Sequence, residues 1–219
     1  MKTKIKNNIE SILKTLPPNV TLCAVTKYHN VEETRAVIDA GIMDLGENKV
    51  QDLLAKQDVI TDPDVRWHLI GHLQTNKVKK VIGHTVLIHS VDSLRLIEAI
   101  EKESAAQDCV TQILLQIDLT EEETKTGLLP DELPEILEIL PQKPHILLRG
   151  IMGMGALNKK PEENRKIFKT LKEIYDTIRV SYLNGENQVD TLSMGMTDDY
   201  PDAVAEGATI VRIGRKIFE

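Results

Sequence analysis

Lys27 follows the apolar run Val20 to Val25 with only Thr26 between them. A lysine in that place buries its stem in a core and brings its amine to a strand end. Burial favours the neutral amine, a nucleophile toward aldehydes. A strand-end lysine can equally be a surface residue whose stem snorkels along the protein, and Lys27 alone leaves both readings open. Two later segments bear on the choice. Ser193-Met194-Gly195-Met196-Thr197-Asp198-Asp199 and Arg212-Ile213-Gly214-Arg215 supply hydroxyls, cations and glycines that let backbone N–H groups approach a ligand. Turn chemistry would account for Gly195 or Gly214 singly. Both together, beside Arg212, point to a phosphate position next to an aldehyde site.

Other polar segments carry less. His68 and His72 are candidate metal ligands, but no further His or carboxylate stands at zinc spacing, which favours packing or hydrogen bonding. Lys77, Lys79 and Lys80 read as a solvated helix face, since no aromatics are interleaved as in a nucleic-acid surface. Gly153-Met154-Gly155 reads as a loop that permits close approach.

The elements that must position these residues alternate along the chain. Strand character falls on Val20 to Val25, Met43 to Leu45, Trp67 to Ile70, Val86 to His89, Thr111 to Ile117, Ile146 to Met152, Thr191 to Ser193 and Thr209 to Ile213. Amphipathic stretches lie between them at Glu32 to Ala40, Asn48 to Lys56, Asn76 to Val81, Ser93 to Ala106, Leu133 to Leu140, Glu162 to Val180 and Tyr200 to Ala205. Strict alternation implies parallel strands, and eight units imply a closed α/β barrel of the (β/α)8 TIM type rather than an open doubly wound sheet. An extra helix precedes the first strand, with Ile5, Ile9, Ile12 and Leu13 at helical spacing. In such a barrel the site forms at the carboxyl ends of the strands. The residues placed there are Thr26-Lys27-Tyr28, Gly46-Glu47-Asn48, Gly71-His72, Ser90, Asp118, Gly153 and the two segments above. The polar stretch Asp118 to Lys125 is expected to form a loop over the barrel mouth.

The composition suits this reading. A chain of 219 residues can bury a full core, and a single barrel domain over 1–219 is expected. A formal charge of -7 argues against general binding to nucleic acid or anionic membrane. Cys23 and Cys109, each inside an apolar run, read as thiols in a reducing compartment. The N-terminus lacks the continuous apolar core of a signal peptide, and no segment has the length of a membrane span, so a cytoplasmic location is expected.

Six ordered blocks carry a resemblance: Ala24 to Lys27 (AVTK), Leu45 to Asn48 (LGEN), His68 to Lys77 (HLIGHLQTNK), Leu148 to Met152 (LRGIM), Leu192 to Asp199 (LSMGMTDD) and Val211 to Gly214 (VRIG). Through them nearly the whole chain resembles the pyridoxal phosphate homeostasis proteins, whose barrel is like the N-terminal domain of alanine racemase. The resemblance implies that pyridoxal 5′-phosphate is held as an imine on Lys27. It also implies that Ser193, Gly195 and Gly214 surround the phosphate, that Arg212 faces the pyridine nitrogen, and that Asn48 and Met194 lie near the cofactor. Arg215 stands where the family often has a threonine, and its guanidinium either contacts phosphate or points to solvent. A final glycine common in the family is also missing.

The residues then bear on carrier against enzyme. A fixed positive charge on Arg212 would oppose protonation of the ring nitrogen and weaken the cofactor as an electron sink. Racemisation also needs a second acid or base opposite Lys27. Racemases that resemble this barrel obtain it from a further domain and a partner subunit, which nothing after Ile213 encodes. A carrier is therefore expected that limits free cofactor and passes it to apo-enzymes that use it. With the racemase dimer's usual basis gone, a monomer is expected. The rivals are a weak amino-acid racemase, with Tyr28 or His72 as second base, and an aldolase-like barrel that takes a phosphorylated sugar.

Overall fold

The computed structural model describes residues 1–120, 126–156, 160–182 and 188–219. Helix α1 (Lys2–Leu13) precedes strand β1 (Thr21–Val25), and helix and strand then alternate: α2 (Val31–Asp39), β2 (Asp44–Glu47), α3 (Val50–Gln57), β3 (Arg66–Leu69), α4 (Val78–Val81) and β4 (Leu87–Val91). The second half continues with α5 (Leu94–Ala106), β5 (Thr111–Gln116), α6 (Leu133–Ile139), β6 (Ile146–Met152), α7 (Pro161–Ser181), β7 (Thr191–Ser193), α8 (Tyr200–Ala205), β8 (Ile210–Ile213) and α9 (Arg215–Phe218). The strands are parallel and close in sequence order, with β8 paired to β1 over Thr21↔Ile210 to Ala24↔Ile213. The expected eight-stranded α/β barrel with an added N-terminal helix is the fold that forms.

Side chains sort by the strand period of two. Leu22, Ala24, Leu69, Ile88, Leu192, Val211 and Ile213 face outward into the large apolar layer beneath the helices. Cys23, Leu87, Leu114, Met152 and Ile210 form a separate apolar cluster. On β3, β4, β7 and β8 the positions between the outward residues are polar: His68, His89, Ser193 and Arg212 are all buried. The barrel interior is thus apolar in part and hydrogen-bonded in part.

Three elements differ from expectation. Strand β2 runs on through Glu47, because this buried carboxylate is compensated by Lys56 from α3 and by the Thr26 hydroxyl. Ser90 lies within β4 rather than after it, its hydroxyl donating to the Gly71 carbonyl at 2.6 Å. Arg215, read as part of a loop, begins the short helix α9, whose Ile217 is fully buried. Between β5 and β6 the register shifts, with Ile113 paired to Leu148 and Leu114 to Gly150. Gly150 has φ +148 there, and a Cβ would lie 1.8 Å from the Thr191 carbonyl oxygen, so no other residue fits this bulge. Of the expected loop Asp118 to Lys125, residues 121–125 lie outside the described residues. Asp118 closes its start by accepting from the Thr120 amide and hydroxyl.

Candidate functional site

The turn after β1 sets the site. The Thr26 carbonyl accepts from the His29 amide at 3.0 Å, making a four-residue turn with Lys27 at its corner. Tyr28 takes φ +69, as a type II turn requires at its third position, although it is not glycine. Helix α2 begins directly afterwards with a capping box. Asn30 accepts from the Glu33 amide at 2.9 Å, and the Glu33 carboxylate accepts from the Asn30 amide at 3.0 Å. That backbone bond is the main cause holding the Glu33 carboxyl below the ordinary range.

Beneath the turn lies a buried ion pair. Lys56 Nζ donates to Glu47 Oε1 and to the Thr26 carbonyl at 2.7 Å, while the Thr26 hydroxyl donates to the same carboxylate oxygen at 2.6 Å. Glu47 is fully buried and Lys56 is 7% exposed, so each depends on the other for compensation. Glu47 Oε2 has no hydrogen-bond partner.

Lys27 is half-buried, and with it Val25, Asn48, Ile70, Met154, Met196, Thr197, Asp198, Arg212, Gly214 and Arg215 line a cleft of about 260 Å³ at the carboxyl ends of the strands. The cleft combines apolar side chains with one amine and two guanidinium groups. Its floor is Arg212, 4% exposed, which donates from Nη1 to Ser193 Oγ at 2.6 Å and from Nη2 to the Gly153 carbonyl at 3.0 Å. Burial lowers the Arg212 pKa to about 10 against the opposing influence of Cys23 and Asp199, which leaves it a cation at neutral pH. Arg215 pairs with Asp198 at the rim, both largely exposed.

Of the residues singled out in the sequence, Lys27, Asn48, Arg212, Gly214 and Arg215 meet in one place, joined by Met196, Thr197 and Asp198 of the segment after β7. Ser193, Met194 and Gly195 do not line the cleft. Ser193 is fully buried and turned inward onto Arg212 and His89, while Met194 packs in the apolar layer. Gly195 has φ +91 and passes so close to α8 that a Cβ would meet that of Ala203 at 2.5 Å. His72 pairs with Asp92 at a separate pocket. Tyr28 is 81% exposed, its ring 5.7 Å from Lys27 Nζ. Among the described residues no group of three His, Cys, Asp or Glu side chains is arranged for a metal ion.

Sequence reasoning missed Ile70, the apolar wall made by Met154 and Met196, whose segments it had marked, and the partners behind Arg212. His89 Nδ1 lies 2.9 Å from Ser193 Oγ, His68 Nδ1 lies 2.9 Å from His89 Nε2, and Asp44 Oδ1 lies 3.0 Å from His68 Nε2. Burial is the main cause that holds the His89 pKa well below the ordinary imidazole range. The signal available in sequence was the alternation itself, which puts His68 and Arg212 between outward-facing apolar residues and His89 next to the outward-facing Ile88.

The family model for the alanine racemase N-terminal domain matches residues 2–218. The pyridoxal phosphate homeostasis protein of Aquifex aeolicus is 37% identical over 205 residues, covering 94% of this chain and 83% of that protein. Its namesake from Synechocystis sp. PCC 6803 is 36% identical over 208 residues, covering 94% of each. Among solved structures, PipY of Synechococcus elongatus PCC7942 with PLP bound aligns at TM-score 0.90 and 35% identity, covering 98% of this chain and 100% of that one. An alanine racemase of Clostridium difficile aligns at TM-score 0.82 and 15% identity, covering 99% of this chain and 59% of that one, a likeness of fold alone.

Proposed function

Because the chain belongs to the alanine racemase N-terminal domain family, and within it to the pyridoxal phosphate homeostasis proteins, we propose that its cleft holds pyridoxal 5′-phosphate as an imine on Lys27. In this reading the protein is a cytoplasmic carrier of the cofactor. It limits the free aldehyde and hands it to apo-enzymes, acting as a monomer built on one barrel domain.

The observation that carries this reading is the meeting of Lys27, from the turn after β1, with Arg212, Gly214 and Arg215, from β8 and its sequel, in one cleft. The donor set fits the cofactor. When bound, pyridoxal phosphate supplies a reactive aldehyde, and Lys27 supplies the amine that meets it. Val25, Ile70, Met154 and Met196 offer apolar walls to a flat ring. Gly214 and the Arg215 guanidinium stand where a phosphate would be received, and Asn48 offers an amide at the wall. Arg212 keeps a positive charge at the floor, which opposes protonation of a ring nitrogen that faces it and so favours holding the cofactor over carbanion chemistry. Among the described residues no helix is long and apolar enough to cross a membrane.

The test is borohydride reduction of the protein with added pyridoxal phosphate, followed by peptide mass mapping. The reduced pyridoxyl group is expected on Lys27. Its appearance on another lysine instead would remove the site assignment, and sustained D-alanine formation from L-alanine by the loaded protein would replace the carrier by a racemase.

A further inference from the structure

We propose that Arg212 is held in the cleft floor by a one-way hydrogen-bond chain through the barrel interior, Arg212 to Ser193 to His89 to His68 to Asp44, in which His89 and His68 are positioning residues. The proposal rests on the reading of the cleft as the cofactor site only for its effect on binding. The chain itself stands on geometry.

The two ends fix its direction. A guanidinium can only donate, and Arg212 Nη1 is 2.6 Å from Ser193 Oγ. An ionised carboxylate can only accept, and Asp44 Oδ1 is 3.0 Å from His68 Nε2, which must therefore carry a hydrogen. Neutral His68 then presents a lone pair at Nδ1 to His89 Nε2, 2.9 Å away, so His89 carries its hydrogen on Nε2. Neutral His89 presents its own lone pair at Nδ1 to the Ser193 hydroxyl, also 2.9 Å away. Every buried donor and acceptor along the chain is satisfied in this one arrangement. A protonated His68 would force its Nδ1–H onto His89 Nε2 and the His89 hydrogen onto Ser193 Oγ. That oxygen would then face two donors, leaving the serine hydrogen without an acceptor in a fully buried site, an uncompensated loss of its hydration.

The carboxylate end is itself anchored. Arg66 donates to Asp44 through both Nε and Nη2, tying the chain to a residue half exposed at the amino end of the barrel. The groups that bear on Arg212 from other elements are Asp199 after β7 and the Cys23 thiol of β1. Among the described residues the guanidinium donates instead to the Ser193 oxygen and the Gly153 carbonyl. His89 acts on the cleft through Ser193, and so sets where the cation sits without touching a ligand.

Imidazole 15N shifts of the ligand-free protein, labelled at histidine and assigned by substitution, test the chain directly. Both His68 and His89 are expected neutral with hydrogen on Nε2 near pH 7, and a charged or Nδ1-protonated ring at either position overturns the proposal. Pyridoxal phosphate titration then tests the effect. His89→Leu removes the acceptor for Ser193 and is expected to weaken binding about tenfold and to shift the absorbance of the bound cofactor. His89→Asn keeps an acceptor near Nδ1 and is expected to restore most of both. Equal behaviour of the two variants overturns the positioning role. Failure of the unaltered protein to form a borohydride-reducible complex would instead count against the cofactor site and leave the 15N result standing.

Discussion

Lys56 Nζ stands 2.7 Å from the carbonyl oxygen of Thr26, the residue immediately before Lys27, and shares Glu47 Oε1 with the Thr26 hydroxyl. The corner that presents the Lys27 amine is thereby fastened from below by a helix and a neighbouring strand. Lys56→Met removes the cation and leaves the fully buried Glu47 uncompensated. It is expected to cost about 3–5 kcal/mol, the usual penalty for breaking a buried pair from one side. Glu47→Gln keeps an acceptor for both donors and leaves the charge on Lys56, the less buried partner with a long flexible stem, so it is expected to cost less. Urea denaturation of the two variants measures the difference, and equal losses would deny the pair its role under the turn.

Acid is expected to weaken the fold through Asp44. Burial by itself would raise its pKa, but hydrogen bonds from Arg66 and His68 outweigh burial and bring it down from the ordinary 3.8 to about 2. A carboxyl depressed in the folded state contributes stability that is fully present above pH 3.8 and lost as the pH falls toward 2. With Arg66 half exposed and its attraction screened, the contribution is about 1–2 kcal/mol. Denaturation midpoints between pH 5 and pH 2 should therefore fall less steeply in Asp44→Asn than in the unaltered protein.

The two thiols are expected to differ in reactivity. Cys23 is fully buried in the barrel interior, and burial, followed by the Asp44 charge, pushes its thiol pKa far up. Cys109 is only half-buried, at the approach to β5. Titration of the native protein with a chromogenic disulfide should modify Cys109 first, and Cys23 only after denaturant is added. Comparable rates at the two positions would show that the interior opens far more readily than its packing implies.

Much of this was legible in the sequence because barrel strands announce themselves twice. The apolar runs marked the strands, and the residues just after them marked the cleft, which is how Lys27, Asn48, Arg212, Gly214 and Arg215 could be singled out. Polar residues within a strand were harder to read. In the sequence Glu47 reads as lying after a strand that ends at Leu45, because its compensating cation, Lys56, lies on a helix whose packing the sequence does not state. His68 was weighed as a ligand or a packing residue, but its partner His89 lies on another strand, and the register that joins them exists only in the folded sheet. Ser193 shows the same limit: its place after an apolar residue is visible, while its inward rotation onto Arg212 is not.

The seam between β1 and β8 has a consequence for synthesis. Lys27 leaves the ribosome well before Arg212, Gly214 and Arg215, the cations and the glycine that line the cleft with it. Until that last strand docks, Lys27 stands on an unfinished sheet with no cleft around it. On the proposed reading of the cleft, a chain that has not yet docked β8 should discriminate poorly among aldehydes, and selective capture should arise only with ring closure, the slow non-local step of such a topology.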